Sequence, residues 1–144
     1  MNPFLLDVNV LIALVFQGHI AHRTVKRWFQ QSGAKHWATC PLTEAGFVRV
    51  VSNPKFSHPA LHIDEALAML DRLNQLPGHR FWPVEVAFLD AVRPFAERLF
   101  GHQQVSDAYL LGMAIQKKGR LVTLDRAIRA LAGSEFRNAV VILE

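Results

Sequence analysis

Phe4-Leu5-Leu6-Asp7-Val8-Asn9-Val10-Leu11-Ile12 is an apolar run broken by two polar side chains. Its first part, Phe4 to Leu6, contains no polar position. That is the pattern of a short strand buried on both faces, a central member of a parallel sheet. Asp7 stops the run, and Val8 to Phe16 follows as an apolar stretch of helical length. An acid at the carboxyl end of a central strand stands where open α/β sheets bind their ligands. Asn9, two residues on, lies at the mouth of the following helix. Two readings of Asp7 stand side by side: a helix N-cap, for which Asp is favoured, and a functional carboxylate.

The chain has 144 residues, 51% of them hydrophobic and 19% charged. That is material for one domain, residues 1–144, with a real core, and it excludes a disordered chain. The net charge of +4 favours a polyanionic partner. Its carriers are dispersed, however, over Arg23, Lys26 and Arg27, Arg49 and Lys55, Lys117, Lys118 and Arg120, then Arg126 and Arg129. Solvated helix faces explain each group equally well. Cys40 is the single cysteine, so no intrachain disulfide forms, and it reads as a small buried residue near a strand end. The first residues lack the basic, apolar and small-residue order of a secretion signal. Val8–Phe16 is too short to span a bilayer. The expectation is a soluble, cytoplasmic protein without a membrane partner.

Outward from the opening stretch, helical and strand signals alternate. Ile20 to Gln31 is amphipathic, with Ala21, Val25, Trp28 and Phe29 at helical spacing. Lys35 to Cys40 reads as a second strand. Pro41 to Val51 reads as a helix opened by Pro41 and stopped at Ser52-Asn53-Pro54. Lys55 to His62 reads as a loop. Asp64 to Leu76 is a helix with Leu67, Leu70 and Leu73 on one face, closed by Pro77-Gly78. Arg80 to Val84 is a weak third strand, and Val86 to Phe100 a helix broken near Pro94. Val105 to Lys118 is a strongly apolar helix with Ser106 as its expected N-cap, Asp107 at its first position, and Gly112 marking close packing against a neighbour. Arg120 to Asp125 is a fourth strand, Arg126 to Leu131 a short helix, and Ala139 to Leu143 a fifth strand. Such alternation predicts an α/β fold, a parallel sheet of about five strands in the order 3-2-1-4-5 with helices on both faces.

Four acids fall at the carboxyl edge of that sheet. Asp7 ends strand one, Glu44 begins the helix after strand two, Asp107 begins the helix before strand four, and Asp125 ends strand four. Each alone is a helix-start acid favoured by the macrodipole. Together they form a costly cluster, because close carboxylates raise one another's pKa. A divalent cation relieves that repulsion, and an all-carboxylate set suits Mg2+ or Mn2+. The histidines are scattered and no Cys/His spacing for zinc exists. Metal-assisted phosphodiester hydrolysis is the chemistry this donor set serves. No Walker A loop, GxGxxG or Ser/His/Asp set competes with it.

The segments Leu5-Leu6-Asp7-Val8-Asn9-Val10-Leu11, Pro41-Leu42-Thr43-Glu44, Ser106-Asp107-Ala108-Tyr109-Leu110 and Leu121-Val122-Thr123-Leu124-Asp125 resemble the four acidic motifs of PIN-domain ribonucleases. The nearest resemblance is to the VapC-type toxins of bacterial toxin–antitoxin pairs, and it covers essentially the whole chain. The resemblance implies a Mg2+-dependent endoribonuclease, with Mn2+ as an alternative ion, acting on RNA. It also implies a homodimer silenced by a VapB-type antitoxin in a larger complex. It places Asp7, Glu44, Asp107 and Asp125 as catalytic and metal-holding residues, supported by Asn9, Thr123 and Ser106. The stretch from Asn53 to Phe100 is less family-like. Trp82, Tyr109 and Arg49 are candidate RNA contacts, with core packing the better reading for the aromatics. Two alternatives remain. One is a phosphohydrolase resembling the haloacid dehalogenase group, which would want an Asp where Asn9 stands and a lysine nearer than Lys117 or Lys118. The other is a catalytically silent PIN-fold module that binds nucleic acid.

Overall fold

Five short parallel strands carry the molecule, in the order β3-β2-β1-β4-β5. They are β1 (Phe4–Leu6), β2 (Trp37–Thr39), β3 (His79–Phe81), β4 (Arg120–Thr123) and β5 (Val140–Ile142). The computed structural model describes residues 2–144. β1 is central: Leu5 pairs with Ala38 on one side and with Leu121 on the other. Leu5 and Leu6 are both fully buried, as an apolar strand between two neighbours requires.

Seven α-helices cover the sheet: α1 (Val8–Val15), α2 (His22–Trp28), α3 (Pro41–Val51), α4 (Ile63–Asn74), α5 (Phe88–Val92), α6 (Val105–Gln116) and α7 (Ile128–Ala132). Successive strand residues point to opposite faces, and the two cores follow that alternation. Leu6, Trp37 and Val122 pack with Val10, Val25, Phe47 and Leu70 of α1 to α4. Leu5, Ala38 and Leu121 pack with Ala91, Leu111 and Leu131 of α5 to α7. The expected topology and the helices on both faces are therefore both present.

Local differences have local causes. The helix expected to run to Gln31 ends at Trp28 and loosens into a π-turn, Phe29–Gly33. That turn keeps Phe29 against Trp37 (ring centroids 5.4 Å apart) while Trp28 meets Phe4 (5.1 Å). The third strand is His79–Phe81, ending before Pro83, which lacks the N–H a ladder needs. The helix expected over Val86–Phe100 is α5 followed by a 3-10 segment, Arg93–Arg98, with the change of pitch next to Pro94. Gly112 does pack closely: a Cβ there would collide with the carbonyl of Ala91 on α5.

The expectation for Ser106 is corrected. A 3-10 turn, His102–Gln104, leads directly into α6, which starts at Val105. Gln104 accepts hydrogen bonds at its Oε1 from the backbone N–H groups of Phe100 and Gly101, at 2.8 and 3.2 Å, so it organises this entry. Ser106 is exposed, makes no cap hydrogen bond, and borders an apolar hollow with Leu42, Val84, Phe88 and Tyr109. Asp107 accordingly sits one residue after Ser106, at the third helical position rather than the first.

Candidate active site

Asp7 leaves the carboxyl end of β1 and caps α1, its Oδ1 accepting the N–H of Val8 at 2.8 Å. The capping reading and a functional one are thus compatible, because the cap uses only one oxygen. The other, Oδ2, accepts from the hydroxyl of Thr123 at 2.8 Å. Thr123 is the last residue of β4, is buried, and has every bond its hydroxyl can make. It donates to Asp7, and accepts from Asn9 Nδ2 at 3.3 Å and from the N–H of Asp125 at 3.1 Å. Asn9 closes the set by accepting the N–H of Leu124 at 3.2 Å. One threonine and one asparagine thus bind the ends of β1 and β4 into a single edge.

Asp107 enters from the first turn of α6. Burial first, and then the charges of Asp7 and Asp125, push its carboxyl up to about 6 from 3.8. Burial also raises Asp7, against the lowering effect of its bonds to Thr123 and Val8; Asp125 adds to the rise. Asp125 is exposed and accepts the N–H of Ala127 at 2.9 Å. Asp7, Asp107 and Asp125 therefore share one electrostatic neighbourhood at the carboxyl edge of the sheet. Among the described residues nothing hydrogen-bonds to the Asp107 carboxylate.

Glu44 is held by partners other than those of the aspartates. Its side chain leaves the first turn of α3 and its Oε2 accepts from Thr39 Oγ1 at 2.6 Å and from Asn74 Nδ2 at 3.0 Å. Glu44 is not among the charges that raise Asp7 or Asp107. His79 Nε2 lies 2.7 Å from the same threonine hydroxyl. Burial lowers the pKa of His79, opposed by the charge of Glu44 and aided by Arg80. Thr39, Asn74 and His79 were not singled out by sequence. Thr39 carried a signal, a hydroxyl on the last residue of β2, matching Thr123 at the end of β4. Asn74 and His79 carried none.

Among the described residues no three acidic, histidine or cysteine side chains are gathered closely enough to hold a metal ion as they stand. The aspartate set nonetheless fits a hard divalent cation. It offers only oxygen donors, one of its carboxylates is half-buried without a partner, and the charge of Asp125 helps to raise both Asp7 and Asp107. Mg2+ commonly takes one or two carboxylates and keeps several waters, so it needs no closed cage.

The remaining candidates divide. Trp82 and Tyr109 are core: both are buried, and Tyr109 donates to the carbonyl of Val86 at 2.9 Å. Arg49 is exposed beside Glu44 in the hollow between α3 and α4. Lys117 follows the far end of α6, where it pairs with Glu85 at 3.5 Å, and among the described residues the Asp7 carboxylate is bonded by Val8 and Thr123 and by no lysine. No helix among the described residues is long and apolar enough to cross a membrane.

A parallel 3-2-1-4-5 sheet with aspartates gathered at its carboxyl edge is matched by the PIN domain over residues 4–134, and the chain belongs to that family. Within it the chain falls in the VapC branch. It is 42% identical to Ribonuclease VapC38 of Mycobacterium tuberculosis over 139 residues, 96% of each chain. It is 40% identical to Ribonuclease VapC39 of the same organism over 124 residues, 86% of this chain and 89% of that one. The fold is also that of VapBC2 from Rickettsia felis, solved bound to a DNA fragment from its promoter. That match has a TM-score of 0.64 over 98% of each chain, at 10% identity.

Proposed function

We propose that this protein is the toxin of a type II toxin–antitoxin pair, a Mg2+-dependent endoribonuclease that hydrolyses RNA phosphodiester bonds and is neutralised by a VapB-type antitoxin. Mn2+ is the alternative ion. The observation that carries the reading is the shared field of Asp7, Asp107 and Asp125, with Asp107 half-buried, unpartnered and pushed up to about 6. A site that brings these charges together without a neutralising partner is arranged for a cation. The identity to VapC ribonucleases over nearly the full chain supports the choice of RNA. The VapBC2 relative, a complex of both components, supports an antitoxin partner. A homodimer and a larger complex with the antitoxin belong to the same reading.

In this reading Asp7, Asp107 and Asp125 would hold the ion through carboxylate oxygens, and Glu44 would complete the catalytic set from α3. A bound divalent cation supplies an activated water and offsets charge on the scissile phosphate. The chain's own residues do the rest. Thr123, itself held by Asn9, fixes the direction of Asp7 through Oδ2. The ends of the neighbouring strands β1 and β4 carry Asp7 and Asp125, and the first turn of α6 brings in Asp107. Exposed cations such as Arg49 offer phosphate contacts along an RNA backbone.

The test is cleavage of total cellular RNA by the purified, antitoxin-free protein with Mg2+, Mn2+ or EDTA, beside Asp107→Asn. Fragments that need the metal and vanish in the variant are expected. Equal cleavage in EDTA, or by the folded variant, overturns the assignment.

A further inference from the structure

We infer that Thr39 and Asn74, backed by His79, are positioning residues that fix Glu44 by one carboxylate oxygen and leave the other free to take a divalent cation. The inference rests on the reading of the acidic edge given above. Both protein hydrogen bonds to Glu44 land on Oε2, at 2.6 Å from Thr39 and 3.0 Å from Asn74. Among the described residues Oε1 has no partner. A carboxylate held on one side and open on the other is the usual state of a metal-site acid, whose hydrogen-bonded surroundings set its orientation.

The proton count along this chain is determined. Thr39 has a single hydroxyl proton and gives it to Glu44. Its contact with His79 at 2.7 Å therefore has His79 Nε2–H as donor and Thr39 Oγ1 as acceptor. The imidazole is held in turn against Trp37, with ring centroids 4.7 Å apart, on the strand residue paired with it. Thr39 is fully buried, so its hydroxyl cannot exchange this arrangement for water.

Asn74 supplies an independent sign. Its Nδ2 donates to Glu44, while its Oδ1 is buried with no hydrogen-bond partner. A buried acceptor left unmade is costly, and such groups are rare in folded proteins. Turning the amide over would aim Oδ1 at the carboxylate and repel it. The orientation of Asn74 is thus dictated by Glu44, at the expense of its own carbonyl oxygen. A residue serving only the fold would gain by an apolar replacement at this place.

The experiment is Mn2+ binding to the purified full chain without RNA, read as loss of the free-ion electron paramagnetic resonance signal. Melting temperature serves as the control for folding. Thr39→Val and Asn74→Leu are expected to weaken Mn2+ binding about tenfold, and Thr39→Ser to restore it. Adding Thr39→Val to Glu44→Gln is expected to cost nothing further, because both act through one carboxylate. Wild-type affinity in folded Thr39→Val and Asn74→Leu, with Glu44→Gln weakened, overturns the inference and leaves the acidic site standing. So do losses that add to that of Glu44→Gln. Unchanged binding in Asp7→Asn and Glu44→Gln overturns the acidic site itself.

Discussion

Asp107→Asn should stabilise the metal-free protein at pH 7.5 and not at pH 4. In the unfolded chain Asp107 ionises near 3.8; in the folded chain burial and the charges of Asp7 and Asp125 hold it near 6. Between those values folding takes up a proton, so stability falls as the pH rises, and the full cost is present above 6. Taken at face value the difference is about 3 kcal/mol. Asp107 is partly exposed, and solvent screening reduces the cost to roughly 1.5 kcal/mol. The variant also loses a favourable acid in the first turn of α6, about 0.5 kcal/mol. The net gain is therefore about 1 kcal/mol, or roughly 3–4 °C in melting temperature for a chain of this size. The assay is thermal unfolding in EDTA at both pH values, then at pH 7.5 with Mn2+. At pH 4, close to the unfolded value of 3.8, the folded carboxyl is protonated and most of the cost is gone, so the gain should nearly vanish. Saturating Mn2+ should reverse the order at pH 7.5, because only the wild type has the full ligand set; an excess of 100 times Kd is worth about 2.7 kcal/mol. A variant that is destabilised at pH 7.5 in EDTA, or stabilised equally at both pH values, would refute the reasoning that the aspartates repel.

Two further substitutions probe the scaffold. Thr123→Val removes the donor to Asp7 Oδ2 and the acceptor for Asn9 and Asp125. It should lower stability by about 1–3 kcal/mol and Mn2+ affinity at least tenfold; calorimetry on one sample checks both, and unchanged Mn2+ affinity would remove Thr123 from the site. Gly112→Ala drives a methyl into the Ala91 carbonyl where α6 crosses α5. Overpacking against backbone should cost about 2 kcal/mol despite alanine's better helix propensity, and a melting temperature at or above wild type would show that the helix pair yields.

The architecture was legible because burial on both faces makes a central strand uniformly apolar. Phe4-Leu5-Leu6 and Leu121-Val122 announce β1 and β4 by that rule, and the acids that end the runs mark the edge. Asp7 and Asp125 were placed well because a strand end fixes its next residue within narrow limits. Asp107 was placed two positions too early, because Ser106 offers the chemistry of an N-cap while α6 continues directly from the 3-10 turn that Gln104 braces by accepting from Phe100 and Gly101. Glu44 was assigned to the right helix without the partners that hold it. Sequence spacing fixes the position of a helix start, yet not which neighbours a long side chain meets. Those neighbours, Asn74 at the end of α4 and His79 at the start of β3, come from a stretch with no motif. Their proximity is created by the sheet order and cannot be read from spacing along the chain.

The two hydroxyls at the strand ends give the edge a common construction. Thr123 closes β4 and Thr39 closes β2, on either side of β1, and each donates to one acid. Threonine suits this place for two reasons: it is a strand former, and its hydroxyl can bond a carboxylate where the buried sheet meets the cleft. The two sides differ in what lies behind the hydroxyl. Behind Thr123 are Asn9 and two backbone N–H groups near the turn from β4, so Asp7 is tied to the sheet. Behind Thr39 is an imidazole, and Asn74 joins it on Glu44, so that acid is tied to α4 and β3. A shift of α4 relative to the sheet would therefore take the Asn74 bond from Glu44 and leave the bond of Thr123 to Asp7 in place. Glu44 and Asp7 are thus oriented by separate sets of hydrogen bonds, anchored on β2 with α4 and on β4 respectively.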